Sequence, residues 1–154
     1  MNKIDYWLEK GIHFFNIGSY YQSRVYFDKI LEIDATNYEA LNHKALSYLH
    51  ENLDEMAKQC FFQILKNKPE SVLTYLYLGN IEKKNNDFEK AIFFYEKAIE
   101  YITDENYQHI LYYNLGKVLL DRVDEIEFSD DNSEVEKMRE RAEKCFQKSR
   151  ELNK

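Results

Sequence analysis

A chain of 154 residues with 44% hydrophobic, 32% charged and 16% aromatic residues suits one domain, too apolar for disorder and charged enough for solubility. Four glycines and one proline are too few turn-makers for a sandwich or barrel of many short strands, so long helices joined by tight turns are expected. The net charge of −7 disfavours nucleic acid and anionic membrane as partners.

The elements follow in chain order. Asn2 precedes an apolar run of helical period and predicts a helix over 3–17. Acids among its first residues break the apolar core that a secretory leader needs, and no stretch approaches the ~20 apolar residues of a spanning helix. A cytoplasmic chain is expected. Ser19-x-x-Gln22 has capping-box form and opens a helix over 20–33. Thr36-x-x-Glu39 opens one over 37–50, and Asn52 another over 53–67. Ser71 leads into 72–85, and Asn86 or Asp87 into 88–101. Two longer helices, 105–127 and 134–152, close the chain, the last behind Ser133-x-x-Glu136.

A 34-residue period runs through these helices. Gly79 steps back to Ala45 and Gly11, Tyr75 to Leu41 and Trp7, and Ala91 to Ala57 and Ser23. Tyr95 steps back to Phe61 and Phe27, and Ala98 to Ile64 and Ile30. Gly116 fills the same small-residue slot further on, Gly18 falls in a turn within a pair, and Pro69 falls between pairs. These residues resemble the tetratricopeptide repeat, W-x2-L-G-x2-Y, then A-x3-F, then P, over roughly 4–120 and 134–152. Lys10 and Lys44 depart from its leucine, Glu82 from its large aromatic, Ile30 and Ile64 from its small alanine, and Ala35 and Thr103 from its proline. The resemblance implies an all-α solenoid of antiparallel helix pairs, about eight helices in a single 1–154 domain. Its repeats are 4–37, 38–71, 72–105 and an elongated 106–152.

Each pair buries its apolar face only against its neighbours. The small residues let paired helices approach. Trp7, Phe14, Phe27, Tyr48, Phe61, Tyr75, Phe88, Tyr95, Tyr112 and Phe146 are expected to fill the space between them. In the last repeat Gly116 to Ala142 spans 26 residues where Gly79 to Ala91 spans 12, a 14-residue insertion. Val135, Met138, Ala142, Cys145, Ser149 and Leu152 form a 3-4 seam opposite Leu119, Val123 and Ile126. A long hairpin projecting past the stack is expected, with an exposed loop at 127–133. Residues 121–136 hold eight acids and one base, and 137–154 seven bases and three acids.

Nothing in the chain spells catalysis or metal binding. His43 and His50 share a helix face but stand ~10 Å apart, too far to share one metal, and are read as solvated or groove-lining. His13 and His109 are isolated. The acidic stretch 124–136 lacks the glycine and ligand spacing of an EF-hand loop. Cys60 and Cys145 each precede an aromatic in a second helix, which reads as packing. No nucleophile-elbow, phosphate-loop or zinc pattern occurs, so a non-enzymatic chain without cofactor or metal is expected.

The resemblance implies a concave groove lined by the first helices. On this chain it comprises Leu8, Ile12, Phe15, Asn16, Asn42, His43, Leu46, Leu49 and His50, then Leu76, Tyr77, Asn80, Lys83, Lys84, Tyr113, Asn114 and Lys117. The carboxylate clamp of some family members maps onto Leu8, Ile12, His43, Leu73 and Tyr77, none of the required type. Two functions follow: a module that binds an apolar or amphipathic peptide or helix in the groove or on the hairpin, or a self-associating protein, with a homodimer as its simplest form. Lys83, Lys84 and Lys117 favour a ligand with acids at one end.

Overall fold

The computed structural model describes residues 2–126 and 132–153. Among these residues there are eight helices and no strand. They are α1 (Lys3–Asn16), α2 (Tyr20–Ile33), α3 (Tyr38–His50), α4 (Asp54–Asn67), α5 (Val72–Lys84), α6 (Phe88–Tyr101), α7 (Glu105–Ile126) and α8 (Asn132–Leu152). The chain divides into two compact units, Met1–Pro69 with α1–α4 and Glu70–Lys154 with α5–α8. The fold is all-α, as expected, and the last pair is the longest.

The 34-residue period is visible in the backbone. Among the described residues Gly18, Asn52 and Asn86, one period apart, are those with positive φ, at 77°, 58° and 60°. Each closes a first helix the same way. Its own N–H bonds the carbonyl three residues back, of Phe15, Leu49 or Lys83, at 3.0 Å. The following N–H reaches the carbonyl of Phe14, Tyr48 or Glu82 at 2.8–2.9 Å. This paired closure needs a left-handed residue, for which glycine and asparagine carry the least steric cost. One period on stands Leu120, and there α7 runs through to Ile126.

The small-residue slot meets an aromatic ring of the second helix. A Cβ on Gly79 would lie 2.6 Å from Cε1 of Tyr95, and one on Gly116 2.9 Å from Cε1 of Phe146. A Cβ on Gly11 would overlap the Phe27 ring. Phe27, Phe61 and Tyr95 are buried, while the other expected core aromatics are half-buried. In the first unit Phe27, Ile30 and Ala40 form a core cluster. In the second, Ala91, Tyr95, Leu115, Val118, Leu119, Ala142 and Cys145 do so. Lys44, the departure from leucine, pairs with Asp28 at 2.6 Å.

The caps differ from expectation at several ends. Asn2 makes a full capping box with Asp5, and Asp87 accepts from the Lys90 N–H. Asn37, not Thr36, caps α3, because Asp34 Oδ1 already accepts from the Thr36 N–H and hydroxyl at 3.0 and 2.8 Å. Those bonds, the hydroxyl first, hold the Asp34 carboxyl below its ordinary pKa. Ser19 and Ser71 make no side-chain cap bond, and the Ser71 hydroxyl faces that of Thr74 at 2.8 Å. Asn52 supplies the left-handed turn, and Leu53 stands at the N-cap of α4.

The hairpin packs Val118, Leu119 and Val123 of α7 with Val135, Ala142, Cys145 and Ser149 of α8, all buried. Ile126, Met138 and Leu152 are half-buried. Ion pairs tie the hairpin to the preceding pair: Arg122–Glu89 at 2.7 Å, Lys83–Asp121 at 3.5 Å, and Arg141–Glu96. Asn132 and Ser133, expected in the loop, belong to α8. The rest of that loop, 127–131, lies outside the described residues.

Candidate functional site

The residues expected to line a groove fall into two sets, one in each unit. In the first, Leu8 and Ile12 of α1 are half-buried and pack against the Phe27, Ile30 and Ala40 cluster, so only part of their surface is open. Asn16 is exposed. Phe15 meets Tyr20, His43 and His50 edge-on, at 5.5, 5.8 and 5.3 Å between ring centres. His50 is exposed and stacks on Tyr20 at 4.9 Å. His43 is only partly open to solvent. It is half-buried and stacked on Phe27 at 5.5 Å, because the ring fills space between α1 and α2. Burial pushes its pKa down, against the opposing pull of Glu39. The His43 Nδ1 and the neighbouring Asn42 Oδ1 are buried without a hydrogen-bond partner. Leu46 and Leu49 are half-buried on α3.

In the second unit Leu76 and Tyr77 are half-buried on α5. Asn80, expected to line the groove, is exposed, and its amide oxygen accepts from the Tyr95 hydroxyl at 2.7 Å. A phenol only 1% exposed needs such an acceptor. Burial, with the charge of Asp121, pushes the Tyr95 pKa up to about 12. Lys83 is engaged by Asp121, which removes one cation from the expected basic end. Lys84 is exposed on α5. Lys117 lies 5.9 Å over the exposed Tyr113 ring, and Asn114 is half-buried beside them in sequence.

An apolar pocket of ≈ 600 Å³ opens beside Leu76. Val72, Leu73 and Leu76 of α5 form one wall, and Tyr107, Ile110 and Leu111 of α7 the other. Tyr101, Ile102, Thr103 and Asp104 close the end, with Glu70 at the entry to α5. Leu73, Tyr107 and Ile110 are 42%, 61% and 40% exposed and stand together around this one concavity. Sequence reasoning named only Leu76 here as a site residue. The missing signal was the period itself: Tyr107 and Ile110 stand 34 residues after Leu73 and Leu76.

Reactive groups are not gathered at either set. Cys60 and Cys145 are buried free thiols whose pKa values burial raises, away from the nucleophilic thiolate. Among the described residues no group of three or more His, Cys, Asp or Glu side chains converges as metal ligands. None of their helices is long and apolar enough to cross a membrane.

Residues 72–104 match the family model described as tetratricopeptide repeat. No curated protein matches the sequence. Among solved structures, MamA from Desulfovibrio magneticus RS-1 (residues 41 to the end) superposes with a TM-score of 0.75 at 20% identity, over 97% of this chain and 75% of that one. A MamA RS-1 double mutant gives 0.76 at 21% identity, over 97% and 74%. Pseudomonas aeruginosa PilF gives 0.73 at 22% identity, over 98% of this chain and 61% of that one. At these identities the likeness is one of fold: an all-α solenoid of paired helices.

Proposed function

We propose that this chain, a tetratricopeptide-repeat protein by its matched repeat and its fold, is a non-enzymatic interaction module whose first helices hold an apolar or amphipathic partner segment. The observation that carries this reading is the pocket between α5 and α7. Large apolar side chains lining an open concavity are stabilised when a partner side chain displaces the water there. Interfaces draw most of their energy from a few such anchors. The α5 and α7 faces also offer a helix or extended segment its i, i+3 or i, i+4 contacts. In the first unit, Leu8, Ile12, Phe15, Leu46 and Leu49 supply partly open apolar surface to the same kind of ligand.

The test begins with affinity purification on the intact chain and proceeds to the affinity of each purified partner. Leu73→Asp and Tyr107→Asp place a charge on exposed pocket positions without cutting into the core. Each should weaken binding by about tenfold or more, as loss of an interface anchor does. Ile12→Asp and Leu46→Asp test the first unit in the same way. Unchanged affinity in all four variants, with circular dichroism intact, would refute binding through the first helices.

A further inference from the structure

The charge lining the pocket is one-sided, while the basic end of α8 packs beside α7, where the Ser149 hydroxyl donates to the His109 carbonyl at 2.8 Å. Among the described residues its lining includes two carboxylates, Glu70 and Asp104, and no lysine, arginine or histidine. Asp104 is held in place at the start of α7, where its Oδ1 accepts from the backbone N–H and the side-chain amide of Asn106, both at 2.9 Å. Glu105, exposed, follows it. Two lysines of the surrounding helices are already answered elsewhere, Lys83 by Asp121 at 3.5 Å and Lys97 by Glu100 at 2.6 Å. Lys117 stands ten residues beyond Tyr107 on α7, about 15 Å along the axis. Tyr75 stacks on the pocket residue Tyr101 at 5.8 Å. Its phenol pKa is raised by burial first, then by Tyr101, with Glu100 and Glu70 adding and Lys97 opposing.

Building on the reading of this pocket as the anchor, we infer that the segment it takes is a peptide of another protein with an apolar side chain flanked by lysine or arginine. The apolar group enters between Leu73 and Ile110. The cation meets Glu70 and Asp104 at the rim. This is opposite in sign to the acid-ended ligand that Lys83, Lys84 and Lys117 suggest from the sequence. Lys83 is spent on Asp121, and the apolar cavity lies at the acidic end of α5 and α7 rather than the lysine end. Complementary charge at a rim adds selectivity and speeds encounter, while the apolar contact supplies most of the affinity.

Three fluorescein-labelled peptides test this against the intact chain by anisotropy. They share one apolar Leu-Phe-Leu centre and carry lysines, serines or glutamates on both sides. The lysine peptide should bind about three- to tenfold tighter than the serine peptide, the range expected of two partly exposed ion pairs. The glutamate peptide should bind weakest, and added salt should narrow the spread. Glu70→Gln with Asp104→Asn should erase the lysine preference, since the new amide at the second position keeps an oxygen for Asn106. Leu73→Asp with Tyr107→Asp should weaken the serine peptide, which carries no flanking charge. Equal binding of the three peptides to the unmodified chain overturns the charge inference and leaves the pocket standing. Binding unaffected by the double aspartate variant, or no binding of any peptide, overturns both. A dimer of the unmodified chain that the double aspartate variant dissolves makes a second copy the occupant and also overturns the inference.

Discussion

Gly79→Ala adds a single methyl group to α5 at its closest approach to α6. The new Cβ would sit 2.6, 2.7 and 3.1 Å from Cε1, Cδ1 and Cζ of Tyr95. Carbon atoms at rest keep about 3.5–4.0 Å, so the ring must retreat by about 1 Å. It has little room, being 1% exposed and anchored through its hydroxyl to Asn80 at 2.7 Å. Overpacking costs about 1–3 kcal/mol, and straining the Tyr95–Asn80 bond adds up to about 1 kcal/mol. Alanine returns about 0.8–1.0 kcal/mol in helix propensity. The expected net loss runs from near zero to about 3 kcal/mol, or up to about 10 °C in melting midpoint for a chain of this size. Gly79→Leu should lose more. Thermal melts by far-ultraviolet circular dichroism measure both. Tyr95→Leu should relieve the clash, so Gly79→Ala should cost less on that background. A midpoint raised by Gly79→Ala alone would show that propensity outweighs packing and refute the reasoning.

Four further outcomes are expected. Gly18→Ala meets no atom within 4 Å but must hold φ at 77°, so it should cost about 1–2 kcal/mol through backbone strain alone, read from urea midpoints. Leu119→Ala empties a fully buried position of the hairpin and should cost about 2–5 kcal/mol in the same titration. Asn80→Ala should destabilise by about 1–3 kcal/mol by leaving the Tyr95 hydroxyl unpaired, and Tyr95→Phe should cost less; equal losses would argue against the bond. His43 has a folded pKa below its unfolded value near 6.5, so the unfolded chain binds the extra proton first. Its contribution is complete above that value and is lost as pH falls below it. Melts at pH ~7.5 and ~5.5 should therefore fall further apart for the unmodified chain than for His43→Gln.

The helices were legible because burial imposes a 3.6-residue rhythm and the repeat imposes a second one of 34 residues. Helix ends were less so. Thr36 and Asn37 are both good cap residues, and the choice fell to Asn37 because Asp34 had taken the Thr36 hydroxyl. Asn52 looked like an N-cap for the same chemical reason that it accepts a left-handed turn. Among the surface residues, position on a first helix was predictable and side-chain direction was not. The exposed Asn80 accepts from a phenol 15 residues away, and His43 stacks on the Phe27 ring. Sequence spacing on α5 alone could not reveal the pocket, because Tyr101 and Ile102 reach it from the end of α6.

The left-handed residue that ends α1, α3 and α5 acts as a length gauge, and its replacement by Leu120 sets the hairpin free of that gauge. What remains fixed is rotation. Ala91 lies three residues after α6 begins, whereas Ala142 lies ten after α8 begins. The seven added residues make almost two whole turns, so α8 still sets the Phe146 ring against Gly116 as α6 sets the Tyr95 ring against Gly79. The hairpin can therefore grow or shrink by about seven residues per helix without disturbing the packing at its base. A deletion of five residues within α8 would instead rotate everything on its far side by about 140°, turning the Val135 end of the buried seam towards water.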